Sequence, residues 1–158
     1  MGTSPAVRLA LGLAAGLAAG VAGTAAMSAS QTAEMALSGR RPSTTPAEAA
    51  CVLLGIETRT DAQKQRFATQ AHWGYGTIWG LGQLALRQIR EPLRSAVYFL
   101  TVWSAGAALL TGLKLSPPPT EWSKHSLLAD WMHHAIYAVA AGLTFQAIAR
   151  IARRIRRD

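Results

Sequence analysis

Charged positions are spread unevenly along this chain, and the gaps between them set its architecture. Asp, Glu, Lys and Arg are absent from Leu9–Ala33, Phe67–Leu86, Ser95–Leu113 and Trp131–Ala149, windows of 25, 20, 19 and 19 residues. A helix rises about 1.5 Å per residue, so each window is long enough to cross a hydrocarbon core of roughly 30 Å. A helix in water seldom runs about five turns without a charge, because one face must meet solvent. The pattern predicts an all-α fold, a membrane-embedded four-helix bundle in preference to a buried soluble one. One integral membrane domain covers 1–158, with spans near 7–37, 67–87, 94–114 and 125–150.

The connections are legible from their caps. In the long connection Ser38–Arg66, Thr45-Pro46-Ala47-Glu48 reads as a helix start, with Thr45 as cap, Pro46 first and Glu48 reaching back. The apolar run Ala49–Leu54 ends at Gly55, which predicts a short interfacial helix between spans one and two. Thr60-Asp61-Ala62-Gln63 is a second capping box, opening a helix that enters the bilayer near Phe67 and leaves at Arg87. Glu91-Pro92 starts the third helix, and the tight connection before it makes helices two and three antiparallel neighbours. Pro117-Pro118-Pro119 predicts a stiff, extended turn, and the last helix follows from about Ser123.

Glycine spacing adds a packing surface. Gly12, Gly16 and Gly20 recur every fourth residue on one helical face, a GxxxG pattern that Ala15, Ala19 and Gly23 widen. Gly76 and Gly80 repeat the pattern in the second helix. Small residues at this spacing let two helices approach until dispersion and Cα–H···O contacts hold them. Tight packing of helices one and two is predicted, the other use of the groove being dimerisation.

Composition then narrows the partners. The formal charge is +8, and five arginines (Arg150, Arg153, Arg154, Arg156, Arg157) crowd the tail 150–158 behind the last span. Basic residues abutting a span fix its orientation and touch anionic lipid headgroups. Nucleic-acid binding would need a soluble basic face with stacking aromatics, and none is visible. Four spans put both termini on one side, with nine basic and two acidic residues; the other side carries seven and six. The positive-inside bias places the termini in the cytoplasm, and the Ala-, Gly- and Arg-rich usage points to the inner membrane of a bacterium. Met1–Ala33 has the positive charge and small residues of a signal peptide. Its apolar stretch is about twice a signal core, which reads as a retained anchor. The single cysteine, Cys51, allows no intrachain disulfide and no thiolate metal cluster.

Counting turns along the helices puts every histidine (His72, His125, His133, His134) on the external side, with Glu34 and Asp130 at the same level. Asp130, His133 and His134 stand at i, i+3 and i+4, which lets them share one face. Ionisable groups at span level are functional candidates. The cluster His72, Asp130, His133, His134 and Glu34 therefore reads in three ways: a structural polar cap inside an aromatic belt of Trp73, Tyr75, Trp122 and Trp131, a proton-responsive site, or a metal site. A metal would take His72, Asp130 and His133 as ligands. No nucleophile elbow, zinc-protease helix or phosphate loop is present, so no enzyme and no organic cofactor is expected.

The stretch Gly23-Thr24-Ala25-Ala26-Met27-Ser28 with Gln31 and Glu34, together with Pro118-Pro119-Thr120-Glu121-Trp122 leading into Asp130–His134, resembles the YagU-type inner-membrane family. The resemblance implies a Gly-rich first span, a Pro-led last span bearing Glu or His, and an inner-membrane location, with no established catalytic residue. The resulting expectation is a multi-pass membrane protein that is not an enzyme. It acts through helix-mediated contacts, with itself or a membrane partner, and carries a proton- or metal-responsive external cap. A subunit of a small oligomeric transporter or channel is the alternative.

Overall fold

The computed structural model describes residues 4–155, and among these every regular element is helical. α1 spans Pro5–Ser38, α2 Thr45–Leu54, α3 Asp61–Trp79, α4 Gly82–Ala85, α5 Leu93–Gly112 and α6 Lys124–Ile155. Arg156 and Arg157 of the basic tail lie outside the described residues. Three helices, α1, α5 and α6, are long and apolar enough to cross a membrane. α3 is not among them; its first two turns carry Asp61, Lys64 and Arg66.

Local chemistry explains most helix ends. Ser4 Oγ accepts the Val7 amide at 3.3 Å, Pro5 opens α1, and Gly39 closes it in the left-handed region at φ 71°. Ser123 Oγ accepts the Ser126 amide at 3.1 Å and so caps α6. Thr60 Oγ1 accepts the Gln63 amide at 3.2 Å, while the Gln63 side chain reaches one residue further back than a capping box requires, to the Arg59 amide at 3.0 Å. α2 departs from the expected cap. Thr44 already has helical torsions, so Thr45 is the first helical residue, and Glu48 Oε1 accepts from the Thr44 hydroxyl at 2.9 Å. Pro118 is extended as predicted, but Pro119–Glu121 then closes into a single 3-10 turn.

The expected continuous helix over 67–87 is broken. At Gly80 the ladder tightens from i→i+4 to i→i+3: the Gly80 amide bonds Thr77 O, Leu81 bonds Ile78 O, and Gln83 bonds Gly80 O. The tightening frees the carbonyls of Gly76 and Trp79, which would otherwise accept from Gly80 and Gln83. Two buried tyrosines take them. Tyr137 donates to Gly76 O at 2.6 Å, Tyr98 donates to Trp79 O at 2.9 Å, and the two hydroxyls lie 3.1 Å apart. Backbone carbonyls freed by a helix break and buried away from water need partners of this kind.

The break lets the chain's glycines meet. A Cβ on Gly80 would fall 2.5 Å from Gly20 Cα, and one on Gly20 would fall 2.7 Å from Gly76 O and from Thr77 Cα. Further along, Gly16 faces Leu81 and Gly12 faces Leu84; in the other direction Thr24 faces Gly76, and Ser28 Oγ lies 3.4 Å from His72 Nε2. α3 and α4 thus run antiparallel to α1 from one end of the molecule to the other. They fill the Gly12–Gly16–Gly20 groove, so a dimer through that groove would have to displace them. The adjacent stripe of α1 packs on α6: Ala15 and Ala19 are buried with Ala138 and Ala141, and Gly23 lies against the Tyr137 ring. Tyr98, Val102 and Phe145 complete this core. The outward faces are apolar, with Leu9, Leu13, Leu17 and Val21 of α1 and Leu128, Val139 and Leu143 of α6 all exposed.

Candidate functional site

The polar end of the bundle is built where α1 ends, α3 begins its apolar half and α6 completes its third turn. On α1, Ser30 and Glu34 are one turn apart and share the face that meets α6. His133 points into that face. Its Nδ1 shares a hydrogen bond with Ser30 Oγ at 2.9 Å, and its Nε2 lies 4.0 Å from Glu34 Oε2. Both side chains are enclosed, at 4% and 11% exposure. Arg40, just beyond the α1 cap, clamps the same carboxylate oxygen through Nη2 at 2.7 Å and Nε at 3.0 Å. Glu34 Oε1 and His133 Nε2 are buried without a hydrogen-bond partner. Buried polar atoms are rarely left so.

The other candidates are distributed around this pair. His134 Nδ1 bonds the Asp130 carbonyl at 2.8 Å and lies 3.5 Å from the Asp130 carboxylate. Asp130 Oδ2 accepts the Trp103 indole N–H of α5 at 2.8 Å, and Trp103 and Trp131 meet edge to face at 5.4 Å. Asp130, with His134 bonded to it, therefore faces α5 while His133 faces α1. His72 stands on α3 against Ser28. Among the described residues no group of three or more His, Cys, Asp or Glu is placed to hold a metal ion, and His72, Asp130 and His133 do not converge. Sequence reasoning missed Ser30 and Trp103. Ser30 carries a usable signal, its i, i+4 spacing to Glu34; Trp103 carries none, since its pairing with Asp130 depends on how α5 docks on α6.

A second ion pair joins the first turns of two helices on the same side. Lys64 Nζ lies 2.6 Å from Glu48 Oε1, joining α3 to α2. The Lys64 contact and the Thr44 hydroxyl hold the Glu48 carboxyl below its ordinary value, and Glu48 in turn raises the Lys64 ammonium above its own.

The chain is thus an all-α protein with three helices long and apolar enough to cross a membrane and a polar cluster at one end. Comparison with family models, curated proteins and solved structures finds no match.

Proposed function

We propose that the chain is a multi-pass inner-membrane protein, not an enzyme, whose external end responds to protons. α1, α5 and α6 cross the bilayer as continuous helices, and α3 with α4 forms a broken fourth crossing. The exposed apolar faces of α1 and α6 support this arrangement, since such surface on a soluble protein would have to be covered. The basic end of the bundle lies in the cytoplasm by the positive-inside bias.

One observation carries the proton reading: the unbonded His133 Nε2 facing Glu34 across 4.0 Å, inside a cluster where Arg40 already holds that carboxylate. The charged and titratable groups that bear on His133 are Glu34 and Arg40 from the α1 side and Asp130 and His134 on α6. A neutral imidazole leaves Glu34 to Arg40. A protonated one brings a second positive charge beside the same carboxylate, and repulsion between it and the Arg40 guanidinium loosens the clamp. Arg40 is in the loop between α1 and α2, and its release would free that loop and the interfacial helix behind it. His is the side chain whose charge changes near neutral pH, and switches of this kind need only one such biased contact.

Cys51 on α2 is the only cysteine and offers a reporter. A fluorophore there, in the full chain in nanodiscs, is expected to change its emission between about pH 5 and 8. In His133→Gln the response should disappear. A wild-type signal that stays flat, or a response untouched by His133→Gln, refutes the proposal.

A further inference from the structure

The opposite end of the bundle holds a cavity of about 810 Å³ whose walls come from α1, the α4–α5 connection, α5 and α6. Six arginines line it: Arg8, Arg87, Arg90, Arg94, Arg150 and Arg153. Among the described residues Glu91 is the only acidic one in the lining, which leaves a formal excess of five positive charges there (six minus one). Burial pushes the Glu91 carboxyl up, but bonds from the Ser95 hydroxyl and amide and the Arg94 charge outweigh it and keep it ionised. Its oxygens are fully engaged, by Arg94 Nε at 2.9 Å, Ser95 Oγ at 2.7 Å and Gln146 Nε2 at 3.0 Å. Among the described residues, none of Arg8, Arg87, Arg90, Arg150 and Arg153 has a carboxylate within ion-pair distance.

Orientation in a membrane accounts for basic residues at this end but not for Arg94. Its side chain is 8% exposed, and Nη2 makes no hydrogen bond even though it lies 2.8 Å from Glu91 Oε1. Beside it Gln83 is completely buried with neither amide atom bonded, close to Ser95 and Glu91 around Gly142. Six guanidinium groups lining one cavity with a single carboxylate, itself fully bonded, are an arrangement that accepts a multiply bonding anion, and the planar guanidinium fork suits phosphate oxygens. Apart from Gln146 the remaining wall is apolar, with Leu9, Leu84 and Phe145.

We infer that this cavity is a phosphate site, taking the phosphoryl group of an anionic phospholipid with its apolar part against Leu9, Leu84 and Phe145. The same chemistry would admit a free phosphate, and the two sources are separable. Full-length protein in a mild neutral detergent is titrated with phosphatidylglycerol, with phosphatidylcholine, and with inorganic phosphate. Binding is followed by native mass spectrometry and by thermal unfolding. Phosphatidylglycerol is expected to bind and to raise Tm where phosphatidylcholine does not. Arg87→Gln and Arg90→Gln, both at exposed positions, should each weaken it about tenfold, the loss of one charge-assisted bond. Arg154→Gln, in the same tail but outside the cavity, should leave it unchanged. Arg94→Gln should abolish it; should that variant fail to fold, the Arg87 and Arg90 variants decide. Equal stabilisation by inorganic phosphate, with the same arginine dependence, assigns the site to a free phosphate instead of a lipid. Absence of binding by both, or equal weakening by Arg154→Gln and Arg90→Gln, overturns the proposal and leaves only diffuse attraction to headgroups.

Discussion

Gly20→Ala and Gly74→Ala are the same chemical change in neighbouring helices, and the packing gives them opposite signs. Alanine is favoured over glycine in a helix interior by roughly 0.5–1 kcal/mol. At Gly74 nothing lies within 4 Å of the added methyl, so that gain should appear in full and stabilise the protein. At Gly20 the methyl would sit 2.7 Å from Gly76 O and Thr77 Cα, well inside the ~3.5–4.0 Å of ordinary carbon contact. Both are backbone atoms that no rotamer change can move. α3 must back away from α1 along the whole Gly16–Gly80 seam, and overpacking of this kind typically costs about 1–3 kcal/mol. Subtracting the propensity gain leaves a net loss of up to about 2.5 kcal/mol at Gly20. The measurement is reversible unfolding in mixed detergent micelles, followed by tryptophan fluorescence. Gly20→Ala should unfold earlier than wild type and Gly74→Ala later. Equal stability of the two variants would show that the glycine seam does not bear the helix contact and would refute the argument.

Tyr98→Phe strips the Trp79 carbonyl of its partner and should cost about 1–3 kcal/mol in the same assay. Tyr137→Phe should cost a similar amount, and the double variant less than the sum, because the two hydroxyls touch each other; strict additivity would argue against a shared network. The Glu48–Lys64 pair gives a pH window. The folded Glu48 value is lowered, so its contribution is present above the unfolded 4.5 and is lost as pH falls through the folded value. The folded Lys64 value is raised, so its contribution is present below the unfolded 10.5 and is lost as pH rises through the folded value. Measured in the His133→Gln background, protection of α2 amides from hydrogen exchange, corrected for intrinsic rate, should be greatest between those limits, and adding Glu48→Gln should make it independent of pH. A Glu48→Gln variant that keeps the wild-type profile would place the pH dependence elsewhere.

Several features of this protein were written locally. The uncharged windows marked α1, α5 and α6, because a helix long and apolar enough to cross a membrane is specified residue by residue. Caps at Ser123 and Thr60 were readable for the same reason, each being a bond between residues three apart. The four-residue glycine spacing marked the face of α1 on which Gly80 and Gly76 now lie. No local signal announced the break at Gly80. It depends on three partners distant in sequence: Gly20, which admits the backbone, and Tyr98 and Tyr137, which take the carbonyls that the break releases. The candidate site divides in the same way. His133 and His134 differ by one position, which turns them about 100° apart on a helix. Because α6 lies between α1 and α5, that rotation sends His133 to Ser30 and Glu34 and leaves His134 bonded to Asp130, which meets Trp103 of α5. Arg94 looked like a boundary marker in the sequence and is instead the buried wall of a cavity. Which side chains belong to a helix is set by the chain itself; which of them meet is set only when neighbouring helices choose the faces they cover.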